Sequence, residues 1–175
     1  MKKRKKTKKK RIFHSSKKGL NMTVTITLVM VALLVGLDQL IKFLVIANVK
    51  PVAAVPFIDG IIQFRYVENT GAAFSILSEK TWLLSIITGV MIVIGLLYLF
   101  LGKADNKLQY VSLVLVIAGG LGNLIDRVFR GYVVDFIEYQ FMEYAVYNFA
   151  DILVTVGAVL LVASVLFIKE KEQGE

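Results

Sequence analysis

The sequence predicts an α-helical membrane protein with four transmembrane helices, both termini on the cytoplasmic side, and a small strand-rich segment outside. Three observations predict it. The 175 residues are 57% hydrophobic with only two Pro. Counted with Gly and without Tyr, the apolar share is roughly 60%, against about 45–50% for soluble domains, and mean hydropathy is +0.69. The charge is also segregated: residues 2–18 carry eleven Lys or Arg and no acid, which leaves the rest of the chain at −3 against an overall +8. Intrinsic disorder and collagen are excluded, as is a disulfide scaffold, because there is no Cys.

Residues 1–21 read as a basic cytoplasmic tail. Positive residues ahead of a long apolar run stay on the cytoplasmic side, so the tail serves as a topological anchor, with membrane lipid as its contact. Nucleic acid is not an expected partner, since the body offers no basic face. The tail also imitates the start of a signal peptide, but Asp38 and Lys42 in the following apolar run are foreign to a cleaved segment. A bilayer span takes about 20 apolar residues as helix. Such spans are predicted at about 24–47, 82–101, 108–125 and 152–168, within one membrane domain over 22–168. A cytoplasmic tail, 169–175, closes the chain. Lys103, Lys107, Lys169 and Lys171 place the second loop and the C-terminus inside. Two segments remain outside, 49–81 and 126–151. In the first, Ile61–Val67 alternates Gln63 and Arg65 with Ile62, Phe64 and Tyr66. Asp59-Gly60 and Asn69-Thr70-Gly71 mark turns on either side, so a strand pair or sheet at the outer membrane surface is predicted.

Elimination narrows the chemistry. The single His, His14, lies in the tail, so the body has neither His nor Cys. A Ser–His or Cys–His pair and a His/Cys zinc site are therefore ruled out. Carboxylates or a Ser/Lys pair remain. Asp38 and Lys42 are one helical turn apart on one face. Mutual neutralisation, with Lys42 snorkelling outward, is a better reading than direct catalysis, and bracing other polar groups or positioning substrate fits too. In the GNLIDR stretch, Asp126 finds a structural partner in Arg127 or Arg130 at a helix end, beside Asn123. Gly119, Gly120 and Gly122 permit close helix packing in lipid.

Asp135 lies between Val134 and Phe136 at the membrane interface, where desolvation raises a carboxyl pKa. Asp151 opens the fourth span at the positive end of its helix, and Asn148 can cap that helix or bond the acid. Alone, each reads as an ordinary loop or helix-start acid. Together they suggest a pair sharing one proton, in which one member draws a proton from water and the other polarises a scissile carbonyl. Such a dyad needs no His, Cys or metal. Ser75 and Ser78 with Lys80 leave a Ser/Lys mechanism open, although the serines read better as helix caps and Lys80 as an interfacial anchor.

These motifs resemble the bacterial lipoprotein signal peptidase (type II signal peptidase) family. The resemblance covers about residues 24–168. It rests, in order, on Asp38-Gln39 with Lys42, Glu68-Asn69-Thr70-Gly71-Ala72-Ala73-Phe74, Gly119 to Arg127, Val133-Val134-Asp135-Phe136 and Tyr147-Asn148-Phe149-Ala150-Asp151. It implies a four-helix membrane aspartic endopeptidase with an external β-cradle. Such an enzyme cleaves a diacylglyceryl-modified prolipoprotein just before its lipidated Cys. The catalytic pair it implies is Asp135 and Asp151, with Asp38, Lys42, Asn69, Gly71, Asn123, Arg127 and Asn148 supporting or binding substrate. Residues 61–77 clamp the substrate in this picture, no metal or organic cofactor is needed, and a monomer is the default. Two departures stand out: Tyr147 replaces the usual Phe, and the stretch between Asp135 and Asp151 is slightly short.

The competing reading is a non-enzymatic four-helix channel or adaptor subunit. A channel would scatter polar groups through the membrane depth, whereas here the second span has no charge and the acids gather at one face. An adaptor would depend on residues 2–18 rather than on Asp135.

Overall fold

All four apolar stretches fold as helices, and the segments between the first and second and between the third and fourth helices supply a three-stranded antiparallel sheet. The computed structural model describes residues 17–71, 80–104, 106–142 and 144–173. The elements are α1 (Lys17–Asn48), a 3-10 turn (Lys50–Val52), β1 (Ala54–Ile58), β2 (Ile62–Asn69), α2 (Thr81–Phe100), α3 (Lys107–Arg130), β3 (Val133–Tyr139) and α4 (Phe149–Gln173). Each helix is long and apolar enough to cross a membrane. Ser75 and Ser78, the Ala72–Phe74 part of the second motif and most of the basic tail lie outside the described residues.

Helix α3 is the hub. Half of its span is buried, against 17–22% for the other three. It packs on α1, α2 and α4, while α2 and α4 scarcely meet. Two of the three glycines near the end of α3 bring α4 in close. A Cβ on Gly119 would strike the Ala150 carbonyl, and one on Gly122 would sit 2.5 Å from Asp38 Oδ2 and 3.2 Å from Ala150 Cβ. Gly120 instead faces Ile92 of α2 at an ordinary 3.4 Å, so the close packing expected of three glycines falls to two.

Helix α3 begins at Asn106, whose side chain accepts from Gln109 N at 2.8 Å, a cap contributing about 1 kcal/mol. It does not stop near residue 125. No helix breaker intervenes before Gly131, which takes the left-handed conformation (φ 81°) and closes the helix with its N–H on the Arg127 carbonyl. Asp126, Arg127 and Arg130 are thus carried on the last turns of a continuous helix.

The sheet order is β1-β2-β3. The predicted Ile61–Val67 strand is its centre. Strand β3 showed no alternation in sequence because Val133 to Phe136 are buried on both faces. Its Val134 and Phe136 join Val45 of α1 and Val49 just after it in a small core that seats the sheet on the helix ends.

A bulge in β2 sets which face its last residues occupy. Gln63 pairs with Glu138 and Phe64 with Ile137, but Val67 pairs with Asp135 and Asn69 with Val133. Three steps on β2 oppose two on β3, so β2 switches faces within the bulge. Gln63 shares the face of Glu138, whereas Asn69 shares that of Asp135.

Candidate active site

Asp135 and Asp151 reach one site by different routes. Strand β3 carries Asp135, which is 1% exposed. After β3 the chain returns so that Tyr147 forms a bridge with Ile137, donating to its carbonyl at 3.1 Å and accepting from its N–H at 2.7 Å. That bridge delivers Asn148, the N-cap of α4, next to Asp135. A reciprocal cap then orders the first turn: Asp151 N donates to Asn148 Oδ1 at 3.0 Å, and Asn148 N donates to Asp151 Oδ2 at 3.1 Å.

Three asparagines present amide NH2 groups to the acids, and each is oriented by what holds its oxygen. Asn69 Oδ1 accepts from Gly71 N at 2.9 Å, so its Nδ2 donates to Asp135 Oδ2 at 2.7 Å. Asn148 Oδ1 is taken by Asp151 N, so its Nδ2 donates to Asp135 Oδ1 at 2.6 Å and to Asn123 Oδ1 at 3.1 Å. Asn123 Oδ1 also accepts from Lys42 Nζ at 3.0 Å, leaving its Nδ2 to donate to Asp151 Oδ1 at 2.7 Å. A Lys ammonium only donates, which fixes the Asn123 orientation. The fully buried Asn148 therefore donates to both carboxylates.

Burial, and then the nearby Asp151 charge, push the Asp135 carboxyl up to about 7, against the pull of Asn69 and Asn148. Both acids line a cavity of about 600 Å³ with Asn69, Asn123, Arg127 and Tyr147. A second, apolar cavity of about 650 Å³ runs between α2, α3 and α4, lined by Met91, Ile92, Ile117 and Val154, and reaches Asn123, Arg127 and Asp151. Arg127 borders both. One guanidinium nitrogen donates to the Gly71 carbonyl at 3.3 Å, and Nε is buried without a hydrogen-bond partner among the described residues. Tyr139, Tyr144 and Tyr147 form an aromatic cluster along the wall of the first cavity, and the Tyr147 ring lies 5.5 Å from that of Tyr139.

The expected pair Asp38–Lys42 is present at 2.9 Å. Lys42 does not snorkel. It is 0% exposed and also pairs with Asp126 Oδ2 at 2.8 Å. Outward extension is unnecessary because two carboxylates and the Asn123 oxygen satisfy all three of its donors. Asp126 takes Arg130, not Arg127, as its arginine partner, because i, i+4 residues share a helix face. Neither Asp38 nor Lys42 lines either cavity. Gln39, quoted in the motif without a role, donates to Asp38 Oδ2, Asp126 Oδ1 and the Gly122 carbonyl, each at 3.2 Å. Its polarity inside an apolar run was the available signal.

Residues 30–167 match the family model described as signal peptidase (SPase) II. A lipoprotein signal peptidase from Streptococcus pyogenes serotype M2 (strain MGAS10270) is 42% identical over 142 residues, covering 81% of this chain and 92% of that protein. One from serotype M5 (strain Manfredo) is 41% identical with the same coverage. A bacterial membrane enzyme solved by the in meso method at 2.3 Å superposes with a TM-score of 0.77 at 28% identity, over 85% of this chain and 92% of that one. A second such structure, at 1.9 Å, gives 0.73 at 29% identity over 82% and 94%. On its sequence and its fold alike, the chain belongs to the signal peptidase II family.

Proposed function

We propose that the protein is a membrane aspartic endopeptidase that removes signal peptides from diacylglyceryl-modified prolipoproteins, with Asp135 and Asp151 as its catalytic dyad. The observation that carries this reading is the shared donor: Asn148 gives Nδ2 to Asp135 and its backbone N–H to Asp151. With Asp135 pushed up to about 7, the pair carries one proton near neutral pH.

The ionised carboxylate takes a proton from water as its oxygen attacks the carbonyl carbon of the bond preceding the lipidated Cys. The protonated partner donates a hydrogen bond to the carbonyl oxygen as negative charge develops there. Collapse of the tetrahedral species breaks the C–N bond, the departing nitrogen takes a proton from the dyad, and a new carboxyl and a free Cys amine leave. Asn69, Asn123 and Asn148 hold the two acids in place, and Arg127, with donors to spare, holds a substrate carbonyl. The apolar cavity between α2, α3 and α4 suits a hydrophobic signal helix entering from the lipid. Gly71 shapes the turn after β2 that orients Asn69. Both termini lie in the cytoplasm, the dyad faces the outer side of the bacterial membrane, and one copy suffices.

The test is cleavage of one prolipoprotein in lipidated and unlipidated forms by the purified protein, with the new N-terminus read by mass spectrometry. The expected product begins at the lipidated Cys, from the modified form alone. Equal cleavage of both forms, or cleavage elsewhere, overturns the assignment.

A further inference from the structure

Behind the dyad lies a second pair of aspartates. Asp38, Asp126 and the Lys42 between them are all fully buried and open to neither cavity. The ammonium spends its three donors on Asp38 Oδ2 at 2.9 Å, Asp126 Oδ2 at 2.8 Å and Asn123 Oδ1 at 3.0 Å. Each of these partners leads to the dyad. Asp38 Oδ1 accepts the N–H of Ala150 at 3.0 Å, and Ala150 immediately precedes Asp151. Asp126 Oδ2 accepts the N–H of Val134 at 3.2 Å, and Val134 immediately precedes Asp135. Asn123 donates to Asp151 itself.

The cluster is electrically closed. Two carboxylates face Lys42 and Arg130; Arg130 bonds Asp126 directly and reaches Asp38 only through Gln39, whose Oε1 accepts from it at 3.2 Å. Lys42 is therefore the charged link between the two carboxylates that grip the strand carrying Asp135 and the helix carrying Asp151, at 2.9 and 2.8 Å, beside the neutral Gln39 amide, which reaches the same two acids at 3.2 Å. We propose that Lys42, with Asp38 and Asp126, is a positioning element that sets the separation and orientation of the dyad by gripping the backbone one residue before each of its members. The inference rests on the dyad assignment above.

An isolated buried charge is costly, so Lys42→Met alone could lose activity merely by unfolding. The charge-balanced double variant Lys42→Met with Asp38→Asn avoids this. It removes one positive and one negative charge, keeps the Asp126–Arg130 pair, and leaves an Asn oxygen to accept from Ala150. It removes the ammonium link between the two backbones together with its bond to Asn123, and leaves only the longer Gln39 contacts in place. In the full-length protein, with a lipidated prolipoprotein as substrate, the double variant should unfold cooperatively near the wild-type temperature and keep KM within about threefold. Its kcat should fall on the order of 100-fold, the loss that about 1 Å of misplacement produces. The two limbs of its pH profile should also move towards each other, because carboxylates held less closely couple less strongly. A purely structural cluster would instead give wild-type kcat and pH profile once charge balance is restored, and that result overturns the proposal. Loss of cooperative unfolding in the double variant also overturns it, by making the triad a stability element. Asp135→Asn run alongside separates the two claims: if it still cleaves, the dyad assignment fails, whereas if it is inactive and the double variant is wild-type, only the triad proposal fails.

Discussion

Replacing Asp135 by Asn removes a carboxyl that the fold keeps protonated at pH values where the unfolded chain ionises it. The rise from 3.8 to about 7 corresponds to about 4 kcal/mol at 1.36 kcal/mol per pH unit. The sign follows from proton counts. Between these values the native state binds more protons at this site than the unfolded state, so stability falls as pH rises. The full penalty is in place above about pH 7 and vanishes below about pH 4. Asparagine cannot titrate, but it carries a cost of its own: donors from Asn69 and Asn148 converge on the two Asp135 oxygens, so an amide must turn its NH2 towards one of them. That cost does not depend on pH. The prediction is therefore made on the slope. Thermal unfolding of both proteins in one detergent, from pH 4 to pH 8, should show the wild type losing ground to the variant by about 4 kcal/mol, on the order of 10 °C in Tm. Parallel curves would mean that Asp135 titrates alike in the folded and unfolded states, and the argument from burial would fail.

Other substitutions probe the supports. Gly122→Ala places a methyl 2.5 Å from Asp38 Oδ2 and 3.2 Å from Ala150 Cβ; it should destabilise by about 1–3 kcal/mol in thermal melts and reduce cleavage. Gly36→Ala, which meets nothing within 4 Å, should leave both measures at or above wild type. Asn69→Ala deletes a 2.7 Å bond to Asp135, of the kind that contributes about 1.5–3 kcal/mol when charge is involved. It should lower kcat/KM on the order of 10–100-fold. Because that bond holds the Asp135 pKa down, the matching limb of the pH–rate profile should move up. Removal of residues 2–14 should leave cleavage of a lipidated prolipoprotein unchanged in purified protein, whereas an adaptor that works through its basic tail would lose function.

Much of this was legible in the residues. Long apolar runs announce helices because a helix satisfies every backbone group within its own segment across about 30 Å of bilayer. The absence of His and Cys from the body narrowed the chemistry to carboxylates or a Ser/Lys pair, and Asn148 three residues before Asp151 carries the spacing of a helix cap. What stayed hidden depended on contacts between distant segments. The face that Asn69 presents follows from a bulge between Phe64 and Val67, which no alternation pattern reports. Strand β3 hides its period because both faces of Val133–Phe136 are buried. Lys42 read as an outward-reaching lysine, since its second carboxylate, Asp126, is 84 positions away in the chain. The continuation of α3 to Arg130 was obscured by glycines that serve packing against α4 instead of ending the helix.

The central claim is that Asp135 and Asp151 perform the hydrolysis together. It is tested most directly by single-turnover cleavage of a diacylglyceryl-modified prolipoprotein by the purified protein, Asp135→Asn and Asp151→Asn, each shown by circular dichroism and thermal melting to be folded. The account predicts a lipidated Cys N-terminus from the wild type and no detectable product from either variant. Product from either folded variant at a rate near wild type would contradict it.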